Sequence, residues 1–227
     1  MLSADKDLTI ERTDDGSTTL YVPTLDEHYH STKGALAESR HVYIDMCWRR
    51  AAVESVEAVK VFEVGFGTGL NAALTAEAAL AECRPTIYFS VELNPLDIAT
   101  TSQLGYESMT PFFTAVNEAE WGREIEINPY FTLLKIEGNF LDMEIPSGLN
   151  AVYFDAFAPE KQPEMWDAHI IGKIYASMAP CGVLSTYCAK GMIRRRLQSI
   201  GFTVERLPGP INGKREILRA VKSKMIN

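Results

Sequence analysis

Three acids and a run of glycines have the residue types and spacing from which a ligand site could be built. Gly65, Gly67 and Gly69 stand as G-x-G-x-G directly after the apolar Val59, Val61, Phe62 and Val64. Glycine lets a backbone approach a ligand closely, and a helix starting just beyond offers free N–H groups. Glu63 precedes the triplet, giving E-x-G-x-G-x-G. Glu92 ends a second apolar run at residues 86–92. It lies about the ~20 residues past the glycines at which a carboxylate can accept hydrogen bonds from both hydroxyls of a ribose. Asp155 follows a third run at residues 151–154, at a carboxyl-end strand terminus, where ligands collect in open α/β sheets. Each has a plainer alternative: a structural turn for the glycines, a solvated strand-end acid for Glu92, and a turn or helix cap for Asp155.

The elements that must position these residues follow from periodicity. The near-continuous run at 59–64 reads as a parallel strand buried on both faces. Leu70, Ala72, Ala73 and Leu74 open a helix, completing the strand–turn–helix unit that binds nucleotides in open α/β sheets. A dinucleotide fingerprint would need a glycine at position 70, which is Leu70, so a nicotinamide oxidoreductase is disfavoured. The E-x-G-x-G-x-G pattern instead resembles the first motif of class I methyltransferases, which bind S-adenosylmethionine.

Along the chain, residues 8–12 and 19–22 flank Asp14-Asp15-Gly16 and read as a β-hairpin. A loop carrying Tyr29, His30 and Ser31 leads into a helix ending near Ala52. His28 and His30 alternate like a metal pair, yet no third ligand is near in sequence, and no metal is expected. Residues 101–129 read as a short helical insertion without assignable chemistry. Strands are expected at 131–136, 151–154, 182–187, 202–207 and 216–221, with helices at 163–178 and 190–199, the second closed by Gly201. The expected organisation is a hairpin-and-helix appendage at 1–57 and a Rossmann-like domain at 58–227. The latter would hold a mostly parallel seven-stranded sheet with an antiparallel last strand.

At 227 residues, 46% hydrophobic and 23% charged, the composition is that of a globular protein. No apolar run approaches the ~20 residues of a membrane helix, and the acidic N-terminus lacks a signal peptide's apolar segment, so a cytoplasmic protein is expected. The four cysteines form no C-x-x-C pair and read as reduced thiols. Net charge is −8, yet from Lys190 onward ten Lys or Arg face only Glu205 and Glu216. An acidic body with a basic end suggests a polyanionic partner, although an ordinary solvated basic face would look the same.

Four motifs in order carry a more specific resemblance. They are E-V-G-F-G-T-G-L-N at 63–71, E-L-N-P-L at 92–96, D-A-F-A-P-E-K-Q-P-E-M-W at 155–166, and K-R-E-I-L at 214–218. Together they resemble the methyltransferase module of the MnmC family, which methylates 5-aminomethyl-2-thiouridine at the tRNA wobble position. The similarity runs from about Leu8 to Val221, and the block at 155–166 is its most specific part. Asn139 stands where the family commonly has Asp, and the flavin-dependent domain of longer members is not represented.

The resemblance implies a cofactor, S-adenosylmethionine, held by Glu63, Gly65, Gly67, Thr68, Gly69, Asn71, Glu92, Gly138, Asn139 and Asp155, with no flavin. It implies tRNA as partner; the sequence does not give the oligomeric state, for which a monomer is the expectation. Asp155 would be the catalytic residue, orienting the amine and stabilising the developing ammonium, since its ordinary pKa of ~3.9 makes it a poor base. Tyr29, His30, Ser31, Phe157 and Pro159 would surround the base, with Lys161 also binding the substrate, while Lys190, Arg194, Arg195, Arg196, Lys214 and Arg215 would meet phosphates. Trp166 and Met165 read as helix-packing residues. Because the sequence ends at Asn227, only the methylation half of the pathway is expected, with another protein supplying the aminomethyl group. Other readings are a class I methyltransferase for another RNA or a small amine, and a non-catalytic nucleotide-binding protein associated with RNA.

Overall fold

A computed structural model describes residues 8–224. The acidic residues 1–7 and the terminal residues 225–227 lie outside that range. The apolar runs form strands as their composition dictates. The first hairpin is β1 (Thr9–Arg12) and β2 (Thr18–Val22), joined by a short β3 (Glu27–His28) into a three-stranded antiparallel sheet. The main sheet contains β4 (Val59–Val64), β5 (Thr86–Glu92), β6 (Glu124–Asn128), β7 (Phe131–Glu137), β8 (Leu149–Phe154), β9 (Met178–Thr186), β10 (Phe202–Pro208) and β11 (Glu216–Lys222). Its order is β10-β11-β9-β8-β4-β5-β7-β6. Strand β4 pairs in parallel with β5 and β8, so the glycine turn leaves from the centre of the sheet. The last strand, β11, lies antiparallel between β9 and β10.

The seven expected strands are thus present, and β6 adds an eighth at the edge. It arises within the stretch expected to be helical. Glu124, Ile125, Glu126 and Ile127 alternate charged and apolar residues, the period-two signature of a strand with one solvated face. The rest of that insertion forms a short helical turn at Tyr106–Ser108 and a helix at Phe113–Glu118.

Helices cover both faces. Residues 35–54 form one continuous helix: α1 (Ala35–Ser39), a π-helical stretch Arg40–Trp48, and α2 (Arg49–Glu54). Together with α3 (Leu70–Ala81) it packs on one face, against Val59, Val61, Tyr88, Ala151 and Tyr153. Helix α4 (Ile98–Ser102) is short, and its N-cap Asp97 accepts the Thr100 N–H at 2.6 Å. The Phe113–Glu118 helix, α5, packs on α3. On the other face α6 (Ala168–Ser177) and α7 (Gly191–Ile200) bury Ile170, Ile174, Ile193 and Leu197 against Phe62, Val64, Val152 and Phe154. The helix expected at 163–178 is split, because Asp167 takes extended backbone and caps α6 by accepting the His169 N–H at 3.0 Å.

The hairpin shares the principal core. Leu20, fully buried, belongs to the same apolar cluster as Val42, Trp48, Val59 and Leu70. Ser17 Oγ accepts the Ala35 N–H at 3.1 Å, and Asp15 Oδ2 accepts that of Ala37 at 3.1 Å. The hairpin turn therefore caps the helix that overhangs the glycine turn. Replacing Leu20 with Ala should cost about 2–5 kcal/mol, the usual range for a buried Leu. Urea unfolding should remain one transition; an unshifted main transition preceded by a separate early one would show the hairpin to be independent.

Candidate active site

A cavity of about 410 Å³ opens at the carboxyl ends of β4, β5 and β8. The volume lies within the ~300–1,000 Å³ of small-molecule sites. It brings together most of the residues singled out from sequence. Gly65, Gly67, Asn71, Glu92, Gly138 and Asn139 line it, as do Tyr29, His30, Ser31, Asp155, Phe157 and Lys214.

The glycine turn is built as its sequence requires. Gly65, Gly67 and Gly69 have φ of +89°, +53° and +82°, the left-handed region where side chains are strained. A Cβ at Gly67 would also lie 3.1 Å from the Tyr29 ring. Glu92 reaches back from the end of β5, accepting the Gly67 N–H at 3.0 Å and the Asn94 N–H at 2.9 Å. Burial raises its pKa, and these two N–H groups oppose the shift.

Asp155 sits at the end of β8 with both oxygens engaged. Tyr43 donates its hydroxyl to Oδ1 at 2.5 Å, and Asn71 donates its amide to Oδ2 at 2.9 Å. Burial pushes the carboxyl up to about 6, with the Glu38 charge adding to the rise; the hydrogen bonds from Tyr43 and Asn71 and the positive Lys214 hold it lower than burial alone would. The loop beyond is braced. Trp166 Nε1 donates to the Phe157 carbonyl at 2.8 Å, Gln162 Oε1 accepts the Phe157 N–H at 3.2 Å, and Tyr187 donates to the Ala156 carbonyl at 2.9 Å. The motif at 155–166 is therefore a strut that fixes where Asp155 and Phe157 point. Phe157 meets Tyr29 edge to face, with ring centroids 5.6 Å apart.

Other sequence candidates stand outside the cavity wall. Glu63 is fully buried and accepts the Ser90 hydroxyl at 2.7 Å; burial raises its pKa to about 8, so it is mostly protonated at neutral pH. Thr68 is buried, its hydroxyl 2.8 Å from His30 Nε2, and Gly69 caps α3 from behind the turn. Burial lowers the His30 pKa to about 4, leaving a neutral ring. Pro159 is buried and is not part of the cavity wall. Lys190 pairs with Glu160, and Lys161 lies 4.0 Å from Asp26. Arg194, Arg195 and Arg215 make no ion pair among the described residues and lie outside the wall. Lys214 instead turns inward, 3.6 Å from Glu38. Trp166 is buried in the core on the α6–α7 face and Met165 packs against the same cluster while also lining the cavity.

Sequence reasoning missed Tyr43, Glu38, Gln162 and Tyr187. Tyr43 lies in the π-helical stretch, whose wider turn is a feature found frequently at functional sites, yet helical periodicity gives no sign of it. The insertion also has a task. Asn117 donates to the Thr68 carbonyl at 3.2 Å, and Lys135 donates to the Asn117 carbonyl at 2.8 Å. The Lys135 ammonium lies over the Phe66 and Trp121 rings, and burial lowers its pKa to about 8. Residues 101–129 thus hold the glycine turn from behind.

This sheet order, with a glycine turn at its centre and acids closing β5 and β8, places the chain in the class I S-adenosylmethionine-dependent methyltransferase fold. Residues 131–223 match the family model described as S-adenosyl-L-methionine-dependent methyltransferase. Within that class the chain is similar to the tRNA 5-methylaminomethyl-2-thiouridine biosynthesis bifunctional proteins MnmC. It is 31% identical to that of Cupriavidus necator over 83% of this chain, and 32% identical to that of Stutzerimonas stutzeri over 84%. The chain spans 31% of the length of these curated relatives. The crystal structure of MNMC2 from Aquifex aeolicus superposes with a TM-score of 0.76 at 23% identity, over 99% of this chain and 74% of that one.

The residues fit S-adenosylmethionine. An open backbone at Gly65 and Gly67, a carboxylate at the end of β5, and Gly138 and Asn139 facing them form a cradle that a Cβ at position 67 would crowd. Replacing Gly67 with Val should weaken S-adenosylmethionine binding by about 5- to 150-fold, because overpacking of this kind typically costs 1–3 kcal/mol. Calorimetry reads it directly; unchanged affinity in the folded variant would remove the turn from the site.

Proposed function

We propose that this chain transfers a methyl group from S-adenosylmethionine to the amine of 5-aminomethyl-2-thiouridine at the tRNA wobble position. The observation that carries this reading is Asp155, held by Tyr43 and Asn71 in the wall of the cavity that the glycine turn also lines. The similarity to the MnmC relatives supports the choice of substrate. The protein would act as a monomer in the cytoplasm; no helix among the described residues is long and apolar enough to cross a membrane. Residues 1–57 would be an appendage to a methyltransferase domain at 58–227, supplying Tyr29, Glu38 and Tyr43 to its site.

Bound S-adenosylmethionine supplies an electrophilic methyl group. The chain's own residues supply position and charge. Each Asp155 oxygen keeps a lone-pair direction beyond its present partner and can accept an N–H of the substrate amine. Tyr43 and Asn71 fix the carboxylate before substrate arrives, and orientation of this kind can contribute roughly 7–11 kcal/mol. A carboxylate in a water-poor site stabilises positive charge growing on nitrogen. With its pKa near 6, Asp155 is mostly ionised at pH 7 and suits charge stabilisation better than deprotonation of an alkyl ammonium. Phe157 and Tyr29 offer flat apolar walls for the base. Arg194, Arg195 and Arg215 would meet phosphates outside the cavity.

The test is tRNA bearing 5-aminomethyl-2-thiouridine, incubated with protein and S-adenosylmethionine and digested for nucleoside mass spectrometry. The expected product is the 5-methylaminomethyl form; none forming would reject the substrate assignment. Asp155→Asn should keep cofactor affinity within a few-fold and lower turnover by about 10²–10⁴. Because the ionised carboxylate is the active form, activity should fall as pH drops through about 6. Tyr43→Phe removes a hydrogen bond that lowers this pKa, so the acid limb should move to higher pH. An unmoved limb would assign the titration to another group.

A further inference from the structure

The amine end of the cavity is unevenly charged. Glu27, Glu38 and Asp155 line it, and Tyr187 faces all three. Lys214 is the one Lys or Arg among the described lining residues. It belongs to the loop between β10 and β11 and is already committed. Its ammonium lies 3.6 Å from Glu38 Oε1 and 3.6 Å from the centre of the Tyr187 ring.

Glu38 is built into this place. It projects from α1, is 7% exposed, and accepts the Ser31 N–H through Oε2 at 2.9 Å. Its other oxygen, Oε1, is buried without a hydrogen bond. Lys214 at 3.6 Å neutralises Glu38 without reaching hydrogen-bond distance. Among the described lining residues Lys214 is the one cation that faces this buried carboxylate oxygen, so its positive charge is set first against Glu38. An ion pair between the N-terminal helix and the C-terminal hairpin loop thus stands in the cavity wall, beside Glu27 and Asp155.

We propose that the Glu38–Lys214 pair is a specificity determinant that admits a plain alkyl amine and rejects an amine carrying an anionic substituent such as N-carboxymethyl. The inference rests on the reading of the site as a tRNA aminomethyl-uridine methyltransferase. A primary amine brings no negative charge to Asp155 and Glu27. A carboxymethyl group brings one, and Lys214, the nearest cation, is held by Glu38. Discrimination by a repulsive element of this sort costs the preferred substrate little. The transfer itself is the same for either amine. Nitrogen gains the methyl carbon, the carbon–sulfur bond of the sulfonium donor breaks with its electron pair left on sulfur, and one N–H proton passes to solvent. The secondary amine of a carboxymethylaminomethyl group retains a lone pair for this, so charge decides its exclusion.

The experiment compares kcat/KM for two tRNAs, one bearing 5-aminomethyl-2-thiouridine and one its carboxymethylaminomethyl counterpart, with nucleosides read by mass. Wild-type protein should strongly prefer the first. Glu38→Gln keeps an acceptor for Ser31 but releases Lys214, and the preference should fall by about tenfold or more, the scale of removing a like-charge contact and freeing a cation. An N-methylated carboxymethylaminomethyl nucleoside should then appear. Adding Lys214→Gln to Glu38→Gln should restore the preference. Lys214→Gln alone, a change on an exposed loop, should widen it. An unchanged ratio in Glu38→Gln and in Lys214→Gln, with S-adenosylmethionine affinity intact, would overturn the proposal while leaving the proposed function standing. Wild-type protein methylating neither tRNA would overturn the proposed function and this inference together.

Discussion

The structure depends on keeping a carboxylate, Asp155, largely out of water at the end of β8. Desolvation disfavours its charge, and only directed donors make the ionised form tolerable. Those donors come from separate parts of the chain. Tyr43 arrives from the π-helical stretch of the N-terminal helix, and Asn71 from the first turn of α3 beyond the glycines. Both helices must be seated for the carboxylate to exist as an anion. The folding of the appendage, the geometry of the glycine turn and the chemistry of Asp155 are therefore one problem.

Two supports meet that requirement. The hairpin turn caps the N-terminal helix through Ser17 and Asp15, and Leu20 anchors the hairpin in the main core. From the other side, Asn117 and Lys135 tie the insertion to Thr68 and Phe66. The glycine turn is soft by composition and firm by context, since each of its neighbours is held by a buried polar or aromatic contact. The strut from Phe157 to Gln162 and Trp166 does the same for the loop after β8.

The sequence made legible whatever depends on local pattern. The apolar runs, the glycine turn, Glu92 and Asp155 follow from strand composition and from the rule that ligands gather at carboxyl strand ends. Strand β6 was hidden because Glu124 and Glu126 make it look like solvated loop, although their alternation with Ile125 and Ile127 is a strand's. Tyr43 and Glu38 were hidden for a deeper reason. Their partners are far away in sequence, and no spacing rule encodes a contact between the N-terminal helix and the ends of β8 and β10. The basic residues show the reverse limit. Counting charge finds Lys190 and Lys214 but cannot tell that Glu160 and Glu38 lie beside them.

The central claim is that Asp155 is an ionisable group strained by burial and restrained by two fixed donors. The most direct measurement is a carbon-detected NMR titration of protein labelled at aspartate side-chain carboxyls, with Asp155→Asn used to assign the resonance. This resonance should titrate at about 6, above the ordinary aspartate value of 3.8. A midpoint at or below that ordinary value would show a carboxylate that is neither desolvated nor specially held, and would contradict the account.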